Sequence, residues 1–439
     1  MRSICLTLPT NRACAPMVTA LMREAAYAAR RFDAEVHVLV LDSSDPDSYA
    51  EHAAALRRAR EAHPARHVVT HHLGDEEQRD FLRRVIHGAG VAKPELMLDL
   101  MLPEGVSYGA CTNRAFLLAK ALGCESVHRR DSDSNYQVHD GELVFPVHHE
   151  LLSLGKLPGE AADAVTETAL APEHAGRPVA LVAGSFVGEL SVDIGEIQRL
   201  DPEVYHDVVS LWAPMDWSRE RKRELVGESF RGAGNAPFTG DHSVLTLVDP
   251  MRIDMCNIGF HGVHERVPLP PATDTIGSDY FLMHLVRNAG LPGVLHNRNI
   301  VNFYTGERRT DPGFHAYQTR FAKFFLSMLY LNFLYDRLAE EGTALLDAGH
   351  RVRADRVAEL VRESTLLDTA ENTERLDVLA RSYRKLGGRY AAFADSLEPR
   401  AARLLDEARQ DMEDFALLTE VWDALMRTSA STSVPRLPW

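Results

Sequence analysis

The chain has 439 residues, 45% hydrophobic and 25% charged, with a formal net charge of −15. That length and balance predict a large core and two domains or subdomains, and the acid excess excludes the basic face of a duplex-binding protein. Five scattered cysteines with no Cys-x-x-Cys pair exclude a disulfide framework and a thiolate zinc site.

The opening MRSICLTLPTNR breaks at Pro9-Thr10-Asn11 after too short an apolar run for a signal peptide. No membrane span is expected either, so a cytoplasmic location is. Ser3 to Leu8 and Val36 to Leu41 read as apolar strands, with helical patterns at Met17 to Arg31 and Ser48 to Ala62 and a third strand near His67 to His71. Strands and helices in alternation predict an α/β fold with an open, mostly parallel sheet, whose ligands sit beyond the carboxyl ends of the strands. Gly105 to Leu122 reads as a glycine-containing turn and helix, and Cys124 to His128 as a strand. Further strands are expected at Pro178 to Gly188 and Ser243 to Cys256, and helices across Phe314 to Met426. The expected division is 1–312 (halves 1–145 and 146–312), a helical region 313–427, and a disordered tail 428–439.

Directly after the Cys124 strand comes Arg129-Arg130-Asp131-Ser132-Asp133-Ser134-Asn135. Asp131, Asp133, Asn135, Gln137 and Glu142 match a twelve-residue Ca²⁺ loop, but Tyr136 stands where that loop turns on glycine. A phosphatase nucleophile would need an apolar strand before it, and here His128-Arg129-Arg130 precede. A solvated acidic turn needs no chemistry at all. The fourth reading is an Asp-x-Asp pair that holds Mn²⁺ or Mg²⁺ against a diphosphate, since these ions take a carboxylate or two plus phosphate oxygens.

The order of motifs resembles the nucleotide-sugar glycosyltransferases of the GT-A fold, in a layout similar to that of mannosylglycerate synthase. The segments that carry the resemblance are LTLPTNR, VHVLVLDSS, SYGACTNRAFLLAKALGCESVHRRDSDS, TIGSDYF and GVLHNR. It implies a GT-A-like sheet over the first 310 residues or so, followed by an all-helical C-terminal region. It also implies a donor site from Pro9, Thr10, Arg12, Asp42, Asn113, Arg114, Asp131 and Arg308, and a metal held by Asp131, Asp133 and His296. Asp279, at the start of an apolar helix, is implied as general base in an inverting transfer or as a positioning group in a retaining one. His261 and His264 rival His296 as ligand, and Glu189 rivals Asp279.

The expected activity is metal-dependent transfer of a sugar from a UDP- or GDP-sugar to a small-molecule or carrier-bound acceptor. Neither nucleic acid nor a membrane is an expected partner, and the C-terminal helices offer a surface for a homo-oligomer. Two other classes remain: a sugar nucleotidylyltransferase, whose basic glycine-rich loop after the first strand is missing from LTLPTNRAC, and a non-catalytic binder of Ca²⁺ or a nucleotide sugar using Asp131 to Glu142.

Overall fold

A computed structural model describes residues 1–190 and 194–435. Its centre is a nine-stranded sheet. Four parallel strands open it: β1 (Ser3–Thr10), β2 (Glu35–Asp42), β3 (Val68–Leu73) and β4 (Ser126–Arg130), in the spatial order β3-β2-β1-β4. The apolar run of β2 is buried almost throughout, as expected of a parallel strand covered on both faces. From β1 the chain adds β2 on one side and β4 on the other, which opens a crevice beyond the carboxyl ends of β1 and β4.

The sheet continues with Asn257–His261 antiparallel to β4, then Leu181–Ala183, Gly293–His296, Ser243–Thr246 and Glu167–Thr168. The architecture is the expected one: a mostly parallel mixed sheet flanked by helices and followed by a helical C-terminal region. Two strand expectations were too long. The strand at 178–188 divides into Leu181–Ala183 and Phe186–Gly188. At the bend lies Gly184, where a Cβ would come within 2.5 Å of the Asn257 amide. The strand at 243 stops at Thr246, because Asp249 accepts from the Met251 N–H and starts a turn at Pro250.

The C-terminal region opens with a 31-residue helix, Asp311–Glu341, roughly 46 Å long. Position 312 is no boundary in packing: one buried apolar cluster runs from Cys5 to Met426, and the buried Trp422 indole donates to the His264 carbonyl at 3.0 Å. The expected tail begins too early. The last helix reaches Ser429, which is fully buried, and Arg84 donates to the Ser433 carbonyl. Residues 436–439 of that expectation lie outside the described residues.

The His264 ring, 2% exposed, packs against Phe116 at 5.0 Å. Burial, helped by nearby His261, Lys120 and His128, pushes its pKa down to about 3. The unfolded chain therefore takes up this proton first. The stabilisation is complete above about pH 6.5 and is lost as pH falls toward 3, at up to about 1.4 kcal/mol per pH unit. Melting temperatures from pH 7 to 4.5 are expected to fall less steeply in His264→Phe than in the wild type. An unchanged slope would place the acid sensitivity elsewhere.

Candidate active site

The crevice is a cleft of about 940 Å³ lined by Pro9, Thr10 and Arg12 at the end of β1, by Arg129, Asp131 and Asp133 at the end of β4, and by Asp254, Asp279 and Arg308. Asp131, Asp133 and Asp279 each have a cationic partner, while Asp254 accepts from the Tyr280 hydroxyl at 2.8 Å. Arg308 Nη2 donates to Asp133 at 2.7 Å, and Arg12 Nη1 lies 3.6 Å from the same oxygen. Arg129, 2% exposed, spans two acids: Nη2 lies 3.0 Å from Asp131 and Nη1 2.9 Å from Asp279. Burial pushes the Asp131 carboxyl up to about 7. Arg129 opposes this, while Asp133, Asp254 and Asp279 add to it. Burial also raises Asp279, again against the pull of Arg129. Among the described residues, Arg129 Nε and Arg308 Nη1 are buried without a hydrogen bond, so the cleft holds guanidinium donors with unused capacity.

The pair is placed by a network behind β4. Arg130, fully buried, binds Glu24 at 2.8 and 3.0 Å and Glu150 at 2.9 and 3.1 Å, and also donates to the Arg129 carbonyl. His128 contacts the same Glu150, and the Tyr136 hydroxyl donates to Glu24. The two neighbouring arginines of the sequence thus point to opposite duties. Arg129 faces the cleft; Arg130 anchors the strand that carries it.

Four expected site residues take other roles. Asp42 is 2% exposed and supports the wall instead of facing ligand. Its Oδ1 accepts from Ser44, and its Oδ2 contacts His52 and His72 at 2.7 and 2.8 Å. Burial alone would raise its pKa, but these hydrogen bonds outweigh that and hold it well below the carboxylate range. Ser43, Asp45 and Asp75 line the cleft in its place. Asn113 is fully buried and exchanges two 2.8 Å hydrogen bonds with the Leu269 backbone. The glycine before it is a packing glycine: a Cβ on Gly109 would come within 1.9 Å of the Pro270 carbonyl oxygen. Arg114 reaches the cleft wall but donates to Gln78 and the Met101 carbonyl. His296 does not line the cleft. It stacks on His149 at 5.4 Å, with no hydrogen bond to either ring nitrogen.

Neither rival histidine lines the cleft: His261 contacts the Glu125 carbonyl, and His264 lies in the core. Glu189 accepts from the Tyr304 N–H and also stays outside it. The calcium loop is not formed. Residues 134–136 are a strand, and Val138–His139 pairs with Glu142–Leu143 as a hairpin. A strand and hairpin cannot wrap a cation as a twelve-residue loop does.

For Mn²⁺ or Mg²⁺, Asp131 and Asp133 offer hard oxygens in the cleft, and among the described residues no third protein ligand joins them. Among the described residues only Asp42, His52 and His72 bring three ligand atoms within 4.8 Å of one another. That trio serves as hydrogen-bonded support, since His52 Nε2 accepts from the Cys14 N–H and leaves the ring proton on Nδ1 for Asp42, and only His72 Nδ1 of its ring nitrogens lacks a partner. The cleft therefore suits a divalent ion shared with phosphate oxygens, not one in an all-protein cage.

Sequence reasoning missed Arg129, Asp254 and the whole contribution of the long helix. Gly313, Tyr317, Arg320, Phe324, Met328, Leu331 and Tyr335 line the cleft. Their spacing, i, i+4, i+7, i+11 and onward, is one helical face, and it was readable. It was obscured because Phe321, Phe325 and Tyr330, on other faces of the same segment, are fully buried core.

No curated protein sequence matches the chain. A solved structure similar to it is the mannosyltransferase PcManGT from Pyrobaculum calidifontis, in complex with GDP-Man and Mn²⁺. Identity is 13%, over 95% of this chain and 86% of that one, and the TM-score is 0.36, too loose a likeness to carry a function. No described helix is long and apolar enough to cross a membrane. A family model matches residues 2–438, and the chain belongs to that family, DUF6271, a family of unknown function.

Proposed function

We propose that the protein is a metal-dependent glycosyltransferase that moves a sugar from a nucleoside diphosphate sugar, of the UDP or GDP type, to a hydroxyl or amine acceptor. The observation that supports it best is the grouping of Asp131 and Asp133 with Arg12 and Arg308 at the β1/β4 crevice, with Asp279 reached through Arg129. The nucleoside lies against Pro9 to Arg12 and Ser43. Arg308 Nη1 and Arg12 take oxygens of the diphosphate, whose planar, charged groups suit guanidinium donors.

A divalent ion held by Asp131 and Asp133 would offset charge on the departing diphosphate. Asp279 is the base. Its carboxylate, whose ionised form Arg129 favours against burial, accepts the proton of the acceptor O–H or N–H as that atom bonds to the anomeric carbon. The bond from that carbon to the diphosphate breaks, and nucleoside diphosphate leaves between Arg12 and Arg308. Attack from the face opposite the leaving group inverts the anomeric centre.

The test is calorimetric titration with UDP and GDP, with and without Mn²⁺, of the wild type and Asp133→Ala. The wild type is expected to bind one nucleotide at least tenfold more tightly with Mn²⁺. Asp133→Ala leaves Arg12 and Arg308 without their counterion, so it retains phosphate affinity but loses the metal dependence. Metal dependence that survives in Asp133→Ala would remove Asp133 from the site.

A further inference from the structure

Beyond the charged floor, the cleft continues into a chamber of different chemistry. Trp212, Phe230, Phe324, Met328, Leu331 and Tyr335 line it. Trp212 meets Phe324 edge to face at 5.4 Å and Phe230 at 5.7 Å. Tyr335 stacks on His284 at 3.6 Å, and burial together with the nearby Asp279 carboxylate raises the pKa of its hydroxyl. The apolar wall and the proposed base are therefore continuous.

The wall is built, not incidental. Arg375, 1% exposed, donates to the carbonyls of Leu211 and Ala213 on either side of Trp212, and Asn332 donates to the carbonyl of Trp212 itself. Phe230 sits at φ +57°, a left-handed conformation that costs a bulky residue energy and that the surrounding structure must enforce. Strain held at an aromatic facing a cleft is the pattern of a ligand clamp. The whole cleft, about 940 Å³, lies at the top of the ~300–1,000 Å³ range for small-molecule sites, which leaves space beside a nucleotide sugar for a second ligand.

We infer that this chamber is the acceptor site, and that the acceptor is a molecule with an apolar ring body that presents one hydroxyl or amine to Asp279. The inference rests on the transferase reading and names its second substrate class. A sugar or polyol brings several hydroxyls, and each one buried without a partner costs free energy. Of the six wall residues only Trp212 and Tyr335 carry an N–H or O–H; Arg231 and Arg320 also line the cleft, next to Phe230 and four residues before Phe324.

The probe is 4-methylumbelliferone, a flat aromatic phenol, titrated by fluorescence with and without saturating nucleotide and Mn²⁺. Glycerol, glucose and glucose 6-phosphate serve as polar comparators. Trp212→Ala removes one wall. Phe230→Asn removes another while keeping a residue that tolerates the left-handed backbone, so a loss there is not a folding failure. The phenol is expected to bind saturably, at least tenfold more weakly in both variants, with nucleotide affinity within twofold of wild type. Saturation by the polar compounds and not by the phenol overturns the inference, as does phenol binding unchanged in both variants. Nucleotide binding is measured on the same samples. Its absence from the wild type would sink the transferase reading, while the apolar character of the chamber is still decided by the phenol.

Discussion

Arg130→Ala is expected to lower the stability of the fold by about 3–5 kcal/mol. The guanidinium is fully buried and holds two equally buried carboxylates, Glu24 and Glu150, through four hydrogen bonds. Removing it leaves two uncompensated charges in the core, and breaking such a pair costs about 3–5 kcal/mol. That is a large part of the 5–15 kcal/mol typical of a folded protein's whole stability. The cost comes from the stranded acids, so Arg130→Ala combined with Glu24→Gln and Glu150→Gln is expected to recover a good part of the loss. Urea unfolding midpoints decide it. A single mutant within about 1 kcal/mol of wild type would show that the network is not the anchor of β4 described above.

The second large effect concerns chemistry and not stability. Asp279→Asn is expected to slow metal-dependent hydrolysis of the nucleotide sugar, with water standing in for the acceptor, by about 10³-fold, within the usual range for a general base. Nucleotide affinity is expected to stay within twofold, because Asp131, Asp133 and Arg308 are untouched. In the wild type the rate rises with pH through the carboxyl of Asp279, which burial lifts above the ordinary range against the pull of Arg129. The Asn variant loses that limb. A fall in nucleotide affinity in place of turnover would make Asp279 a binding group.

How much of this was legible in the sequence depends on how local the cause is. VHVLVL announces itself, because a buried parallel strand is a continuous apolar run; the strand Ser126–Arg130, SVHRR, begins two residues later than the expected Cys124 and takes in both arginines. From the strand order came the crevice, and with it the placing of Pro9, Thr10, Arg12, Asp131 and Asp133. Asp279 and Arg308 also line the cleft. Asp42 and Asn113 do not, because burial is a tertiary outcome: the same acid at a strand end faces ligand or two histidines according to what packs over it. His296 shows the same limit. A histidine after a core strand has two faces to choose from, and this one turned to His149. Arg129 and Arg130 are adjacent and chemically alike, yet strand alternation sends one to the cleft and one to the core. Which is which depends on Glu24, 106 residues away.

The most direct test of the account is release of nucleoside diphosphate from a panel of UDP- and GDP-sugars, followed by mass spectrometry with Mn²⁺ and with chelator. The account predicts release from sugars on one base only, abolished by chelator and by Asp133→Ala. Nucleotide sugars left intact under every condition, by a protein that also fails to bind UDP and GDP, would contradict it.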